Sequence, residues 1–204
     1  MSAMLRMYKT GIKAQWNMPN ALSFSRIALG FTVLFWWPHG LLALAIITYA
    51  AISDGLDGFL ARRWEKETPL GKVLDPIADK LFVLPILWYL AFTTNEPALW
   101  LLAIVTTGYD VDNTCRRWID ISLAVKNVRV EVGVSLPVSF LSKSKTAMLF
   151  ICIGGYALES LLPMLGILST ALAGVSILLV SYSWFQNRQE WLMNTVRKRH
   201  FLRR

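Results

Sequence analysis

Asp54-x-x-Asp57-Gly58-x-x-Ala61-Arg62, eight further residues, then Gly71-x-x-x-Asp75-x-x-x-Asp79 is the stretch on which the reading of this chain turns. Its acidic positions fall at the ends of two strongly apolar segments, 41–62 and 76–95. A charged side chain at membrane depth is costly unless it is paired or put to use. Four carboxylates within 26 positions cannot neutralise one another, so a cation belongs between them. Oxygen donors without His or Cys point to a hard divalent ion, magnesium or manganese.

On a helix, positions 54, 57, 58, 61 and 62 share one face, because their offsets follow the helical repeat. Asp75 and Asp79 are likewise one turn apart. Asp57 lies about 9 Å along the axis from Arg63 at roughly 1.5 Å per residue, so the acidic face is shallow. Pro76 disfavours helical geometry in the residue before it, which predicts a regular helix starting only near Asp75, beyond Gly71. A short polar connection makes the two helices antiparallel neighbours whose acidic faces meet. Metal ions held there could polarise a phosphoryl oxygen and stabilise a leaving oxyanion. A carboxylate left partly free could take a proton from an incoming hydroxyl. Gly58 and Ala61 leave room for a ligand against the backbone, and Arg62 offers a planar fork for phosphate. A lone Asp would read as a cap or a salt bridge to Arg62, Arg63 or Lys80. Four in register make that coincidence small.

Composition sets the surroundings. With 204 residues and 55% hydrophobic content, and a mean hydropathy of +0.46, the chain is too apolar for a soluble domain. The expected fold is an all-α integral membrane protein of six transmembrane helices, at 21–38, 41–62, 76–95, 98–119, 145–162 and 164–187. Residues 1–20 are expected as a juxtamembrane segment, with Ser2 to Trp16 an amphipathic helix on the membrane surface. No cleaved signal peptide is expected, since Arg6, Lys9 and Lys13 interrupt the start without an apolar core. Residues 21–187 form one membrane domain and 188–204 a basic cytoplasmic tail. Turns are predicted at Pro38-His39-Gly40, at Thr93-Thr94-Asn95-Glu96-Pro97 and at Pro163. The longest irregular stretch runs from about Ala124 to Ser144.

The net charge of +8 matters less than its distribution. With six spans every Lys and Arg falls on one side, while two opposite loops carry Glu96 and Glu159. That is the positive-inside pattern with both termini cytoplasmic. The tail Arg197-Lys198-Arg199-His200 and Arg203-Arg204 suits anionic lipid, and no nucleic-acid partner is expected. Cys115 and Cys152, without a CxxC motif, read as buried small apolar residues. Trp36, Trp37, Trp88, Trp100, Trp184 and Trp191 lie near span ends, where amphipathic rings anchor. His39 and His200 fall away from the acidic face and are not expected to act in catalysis. A small divalent-cation transporter is the reading from another class. Transporters of this size often show internal repeats and midplane broken helices, and this sequence shows neither.

In all eight fixed residues and every gap, Asp54 to Asp79 matches the signature of the CDP-alcohol phosphatidyltransferases. Asn17-Met18-Pro19-Asn20-Ala21-Leu22-Ser23-Phe24-Ser25-Arg26 resembles the start of the first span of phosphatidylglycerophosphate synthases. Phe59 to Trp64, Leu74 to Lys80 and Lys143-Ser144-Lys145-Thr146 are similar in style to that group. The resemblance implies six helices, a homodimer, and a site open to membrane and cytoplasm. It implies two divalent ions held by Asp54, Asp57 and Asp75, with Asp79 near the metals as general base. Asp54, Gly58, Ala61, Arg62 and Gly71 would line the CMP moiety. The implied reaction moves a phosphatidyl group from CDP-diacylglycerol to an alcohol and releases CMP, in a bacterial inner membrane.

The expected acceptor is anionic, with glycerol 3-phosphate first and phosphatidylglycerol or an inositol phosphate as alternatives. Metal ions would take up the negative charge of the four Asp. Arg26, Arg116, Arg117, Lys143 and Lys145 would then be free to bind a second phosphate. One departure bears on this choice. Where related enzymes tend to carry Arg followed by Glu or Asp in the fourth span, this chain has Tyr109-Asp110, with Asp112 and Asn113 behind.

Overall fold

Buried positions recur every three or four residues along each apolar segment, the spacing of one helix face. In the computed structural model, which describes residues 18–63, 69–126 and 140–201, these segments are helices. They are α1 (Met18–Trp36), α2 (Gly40–Arg63), α3 (Pro69–Thr94), α4 (Pro97–Lys126), α5 (Phe140–Glu159) and α6 (Gly166–Phe201), with a 3-10 turn at Pro163–Leu165 before α6. No strand occurs among the described residues. The expected surface helix over 2–16 lies outside them.

Three tight connections join the helices at one end. His39 N–H bonds the Trp36 carbonyl at 2.9 Å. Asn95 turns the chain between α3 and α4 with φ 55°, a left-handed conformation that Asn tolerates. Pro163 opens the 3-10 turn, where its missing N–H costs nothing. All three turns fall where the sequence puts them. At this end Tyr156 donates to Glu96 at 2.7 Å and Ser169 donates to Glu159, so both acids are paired.

Four helices run further than expected, and α5, which begins at Phe140, takes up the end of the stretch expected to be irregular. α3 begins at Pro69, so Gly71 and Asp75 are helical and the predicted start near Asp75 is corrected. Pro76 lacks the N–H that would meet the Lys72 carbonyl, a single lost bond near a helix end. α4 continues to Lys126, which places Arg116 well inside a helix and not at its end. α6 runs unbroken to Phe201, through much of the segment expected as a tail.

Packing closes the six helices into a ring. In space the order is α1, α2, α5, α6, α4, α3, with α3 returning to α1 and also touching α5 across the middle. The centre is filled where Phe82 of α3 meets Phe150 of α5, ring centroids 5.5 Å apart. Along α6 the inward stripe is Ser169, Ala173, Ser176, Val180 and Ser183, all buried. Small residues in such a stripe let helix backbones approach closely. Large apolar side chains point outward, among them Phe35, Phe92, Leu178 and Phe185. Such a surface suits lipid and not water. Among the described residues, two stretches, Ile77–Thr94 and Pro163–Met193, are long and apolar enough to cross a membrane, with mean hydropathies of 1.4 and 2.1. Cys152 is buried as expected. Cys115 is exposed, because it shares the outward face of α4 with Val111 and Ile119.

Candidate active site

The motif acids lie on α2 and α3, and α1 joins them. Gly30, one turn from Arg26, lets α1 come unusually close to α3. A Cβ at Gly30 would meet the Phe82 Cα at 2.9 Å and the Leu81 carbonyl oxygen at 3.0 Å. That carbonyl is the one Pro85 cannot bond within the helix. Arg26 therefore reaches across from α1 with its side chain fully buried. Its Nη1 donates to Asp54 Oδ1 of α2 at 2.9 Å and to Asp79 Oδ1 of α3.

Two oxygens bonded to one nitrogen lie within about 6 Å of each other, roughly two hydrogen-bond lengths. The acidic faces of α2 and α3 thus meet as expected, and the cation between them in this structure is Arg26. Sequence reasoning assigned Arg26 to an acceptor's phosphate, whereas here it bridges two motif carboxylates. A buried guanidinium demands such compensation, since an unpaired one would carry the full desolvation cost.

The two carboxylates form part of a suitable metal-binding set. Both donors are hard oxygens, and a cation already bonds to one oxygen of each. Asp57 sits one turn beyond Asp54 on α2, and Asp75 one turn before Asp79 on α3. The side chains of Asp57, Gly58, Ala61, Arg62, Gly71, Asp75, Arg117 and Lys143 lie outside the described set. Among the described residues no cluster of three metal-ligating side chains occurs.

Beside this pair, α4 carries a second polar group. Lys145 of α5 sits with Nζ 3.9 Å from the centre of the Tyr109 ring and 3.9 Å from Asp110 Oδ1. Asn187 of α6 donates to the Tyr109 hydroxyl at 2.8 Å. Lys80, the neighbour of Asp79, donates to the Asp110 carbonyl at 3.2 Å and to Thr114 at 2.7 Å. One turn on, Asp112 takes hydrogen bonds from Arg116 and from Trp184 Nε1, the latter at 2.6 Å. The described bases expected to be free for an acceptor, Arg26, Arg116 and Lys145, each have an acidic neighbour here. The low dielectric around buried ions explains this.

Depth unites the two groups. Counted from the turns at the far end, Asp54, Asp79, Asp110 and Lys145 each lie about 20 Å along their helices at roughly 1.5 Å per residue. Sequence reasoning missed Gly30, Lys80 and Asn187, and gave Trp184 only an anchoring role. Asn187 did leave a signal, as a polar side chain closing a long apolar run.

Known proteins resemble parts of the chain. It is 39% identical over 108 residues to a protein from Pseudomonas fluorescens named CDP-diacylglycerol--glycerol-3-phosphate 3-phosphatidyltransferase, covering 50% of this chain and 55% of that relative. A protein of the same name from Aquifex aeolicus is 36% identical over 97 residues, 47% of this chain and 54% of its own length. A third of that name, from Pectobacterium atrosepticum, is 45% identical over 74 residues, 34% of this chain and 41% of its own length. The chain thus spans about half the length of the curated relatives it matches, or somewhat less. The sequence model described as CDP-alcohol phosphatidyltransferase matches residues 16–184, which include both motif helices, Tyr109 and Lys145, and the protein belongs to that family.

Proposed function

We propose that this protein transfers the phosphatidyl group of CDP-diacylglycerol to glycerol 3-phosphate, releasing CMP, in phospholipid biosynthesis. One observation carries the reading: carboxylates from α2 and α3 converge on one buried cationic nitrogen, within the family's signature. The names of the relatives favour glycerol 3-phosphate as the acceptor.

Asp54, Asp57, Asp75 and Asp79 would hold two divalent ions, magnesium or manganese. When bound, these ions would supply Lewis-acid stabilisation of the charge that develops on the phosphoryl oxygens. Asp54, Gly58, Ala61, Arg62 and Gly71 line the CMP side. Asp79 takes the proton of the attacking hydroxyl, through Oδ2, since Arg26 engages Oδ1. Arg26 holds Asp54 and Asp79 together and keeps a cation beside them. Lys143, Lys145 and Arg116 receive the anionic acceptor.

The surroundings follow from the same reading. Six helices span a bacterial inner membrane, with both termini and the site cytoplasmic. The N-terminal amphipathic segment lies on the surface, the basic end of α6 rests on anionic lipid, and two chains form a homodimer. The acyl tails of the substrate leave sideways into lipid. Tyr109-Asp110 favours keeping one second reading, the same chemistry on phosphatidylglycerol or an inositol phosphate. Purified protein given CDP-diacylglycerol and a panel of alcohols tests the acceptor by product mass. Phosphatidylglycerophosphate is the expected product, and a product from an uncharged alcohol alone would refute the acceptor assignment.

A further inference from the structure

Tyr109 stands where a base was expected, and its surroundings give it a use. Its ring is buried, at 2% exposure, and the Lys145 ammonium sits over its face. The Lys145 side chain is itself only 9% exposed, so its charge needs compensation. The ring quadrupole and Asp110 supply it. Neither contact is a directed hydrogen bond: one partner is a ring face, and the other lies beyond hydrogen-bond length at 3.9 Å. The Nζ therefore keeps its N–H donors available for a ligand oxygen. Asn187 of α6 fixes the ring through its hydroxyl, tying α4, α5 and α6 into one unit.

We infer that Tyr109 is a positioning residue for the acceptor side, its ring seating Lys145 toward an anionic alcohol. This rests on the acceptor reading above. In place of the missing base, an aromatic face holds a lysine brought from α5.

The test labels the amines of the purified full chain in detergent with acetic anhydride, reads Lys145 by peptide mass spectrometry, and runs steady-state kinetics beside it. Tyr109→Leu is expected to speed Lys145 labelling several-fold. It should raise the KM for glycerol 3-phosphate about tenfold, equivalent to about 1.4 kcal/mol, with kcat and the KM for CDP-diacylglycerol essentially unchanged. Tyr109→Phe, which keeps the ring and loses only the Asn187 bond, should recover most of both effects. Unchanged labelling or unchanged acceptor KM in Tyr109→Leu overturns the inference, as does equal damage in Tyr109→Phe. Should Tyr109→Leu fail to fold, Lys145→Met decides, and an unaltered acceptor KM there overturns the inference too. If the wild-type chain uses only an uncharged alcohol, the acceptor assignment falls. The labelling is read without any acceptor, so the seating of Lys145 is judged separately.

Discussion

Arg26 concentrates the electrostatics of the site in one side chain. It is fully buried, while the carboxylates it bridges are partly open, Asp54 at 37% and Asp79 at 29%. Removing the guanidinium leaves two like charges facing each other. Arg26→Met should therefore lower the Tm measured in chelator, by about 2–3 kcal/mol of stability, below the 3–5 typical of a closed pair because the acids reach solvent. Added manganese should restore most of that loss, since an ion held by the same acids supplies the missing charge. A Tm that ignores the substitution, or a loss that manganese does not touch, would contradict this account of Arg26. On the proposed function, the motif acids would separate by role. Asp57→Asn should weaken nucleotide binding through loss of metal, whereas Asp79→Asn should lower kcat more than substrate affinity. Equal loss of CDP-diacylglycerol binding in both would make all four acids mere ligands. At this scale the acidic motif was legible, because charge at membrane depth has few explanations. That Arg26 bridges Asp54 and Asp79 was not, because their pairing joins residues 28 and 53 positions apart.

Between elements, the contact of α1 with α3 sets whether Arg26 reaches Asp79 at all. Gly30 has backbone on its open side at 2.9 Å, so no side chain fits without moving a helix. Gly30→Val should cost about 1–3 kcal/mol as overpacking and reduce activity by drawing Arg26 away from Asp79. Thermal melts and CMP release on the same preparation check both halves. Wild-type values for each would mean the close approach is incidental. The turns were readable from Pro, Gly and Asn, because those residues restrict or release φ locally. The start of α3 was not. Pro76 looked like a boundary, yet one missing hydrogen bond near a helix end does not break a helix held by neighbours. The far ends of α4 and α6 were hidden for a related reason, since a helix can continue into water after its apolar stretch stops.

Across the whole molecule, the ring order places α2 and α3 on either side of α1 and sets α4, α5 and α6 opposite. The acidic pair and the Lys145 group are thereby held at one depth by different helices. Helix class was legible from the apolar segments, but ring order was not, since it depends on small residues such as Gly30 and the α6 serines. On the proposed function this division would suit a substrate with a polar head and two tails, with acids for metal and nucleotide and bases for a second anion. The measurement that bears most directly on this is CMP release by the purified protein from CDP-diacylglycerol and glycerol 3-phosphate, before and after chelation. The account predicts release that stops in excess chelator and returns with magnesium or manganese. CMP release that continues undiminished without divalent metal, or none under any of these conditions, would contradict it.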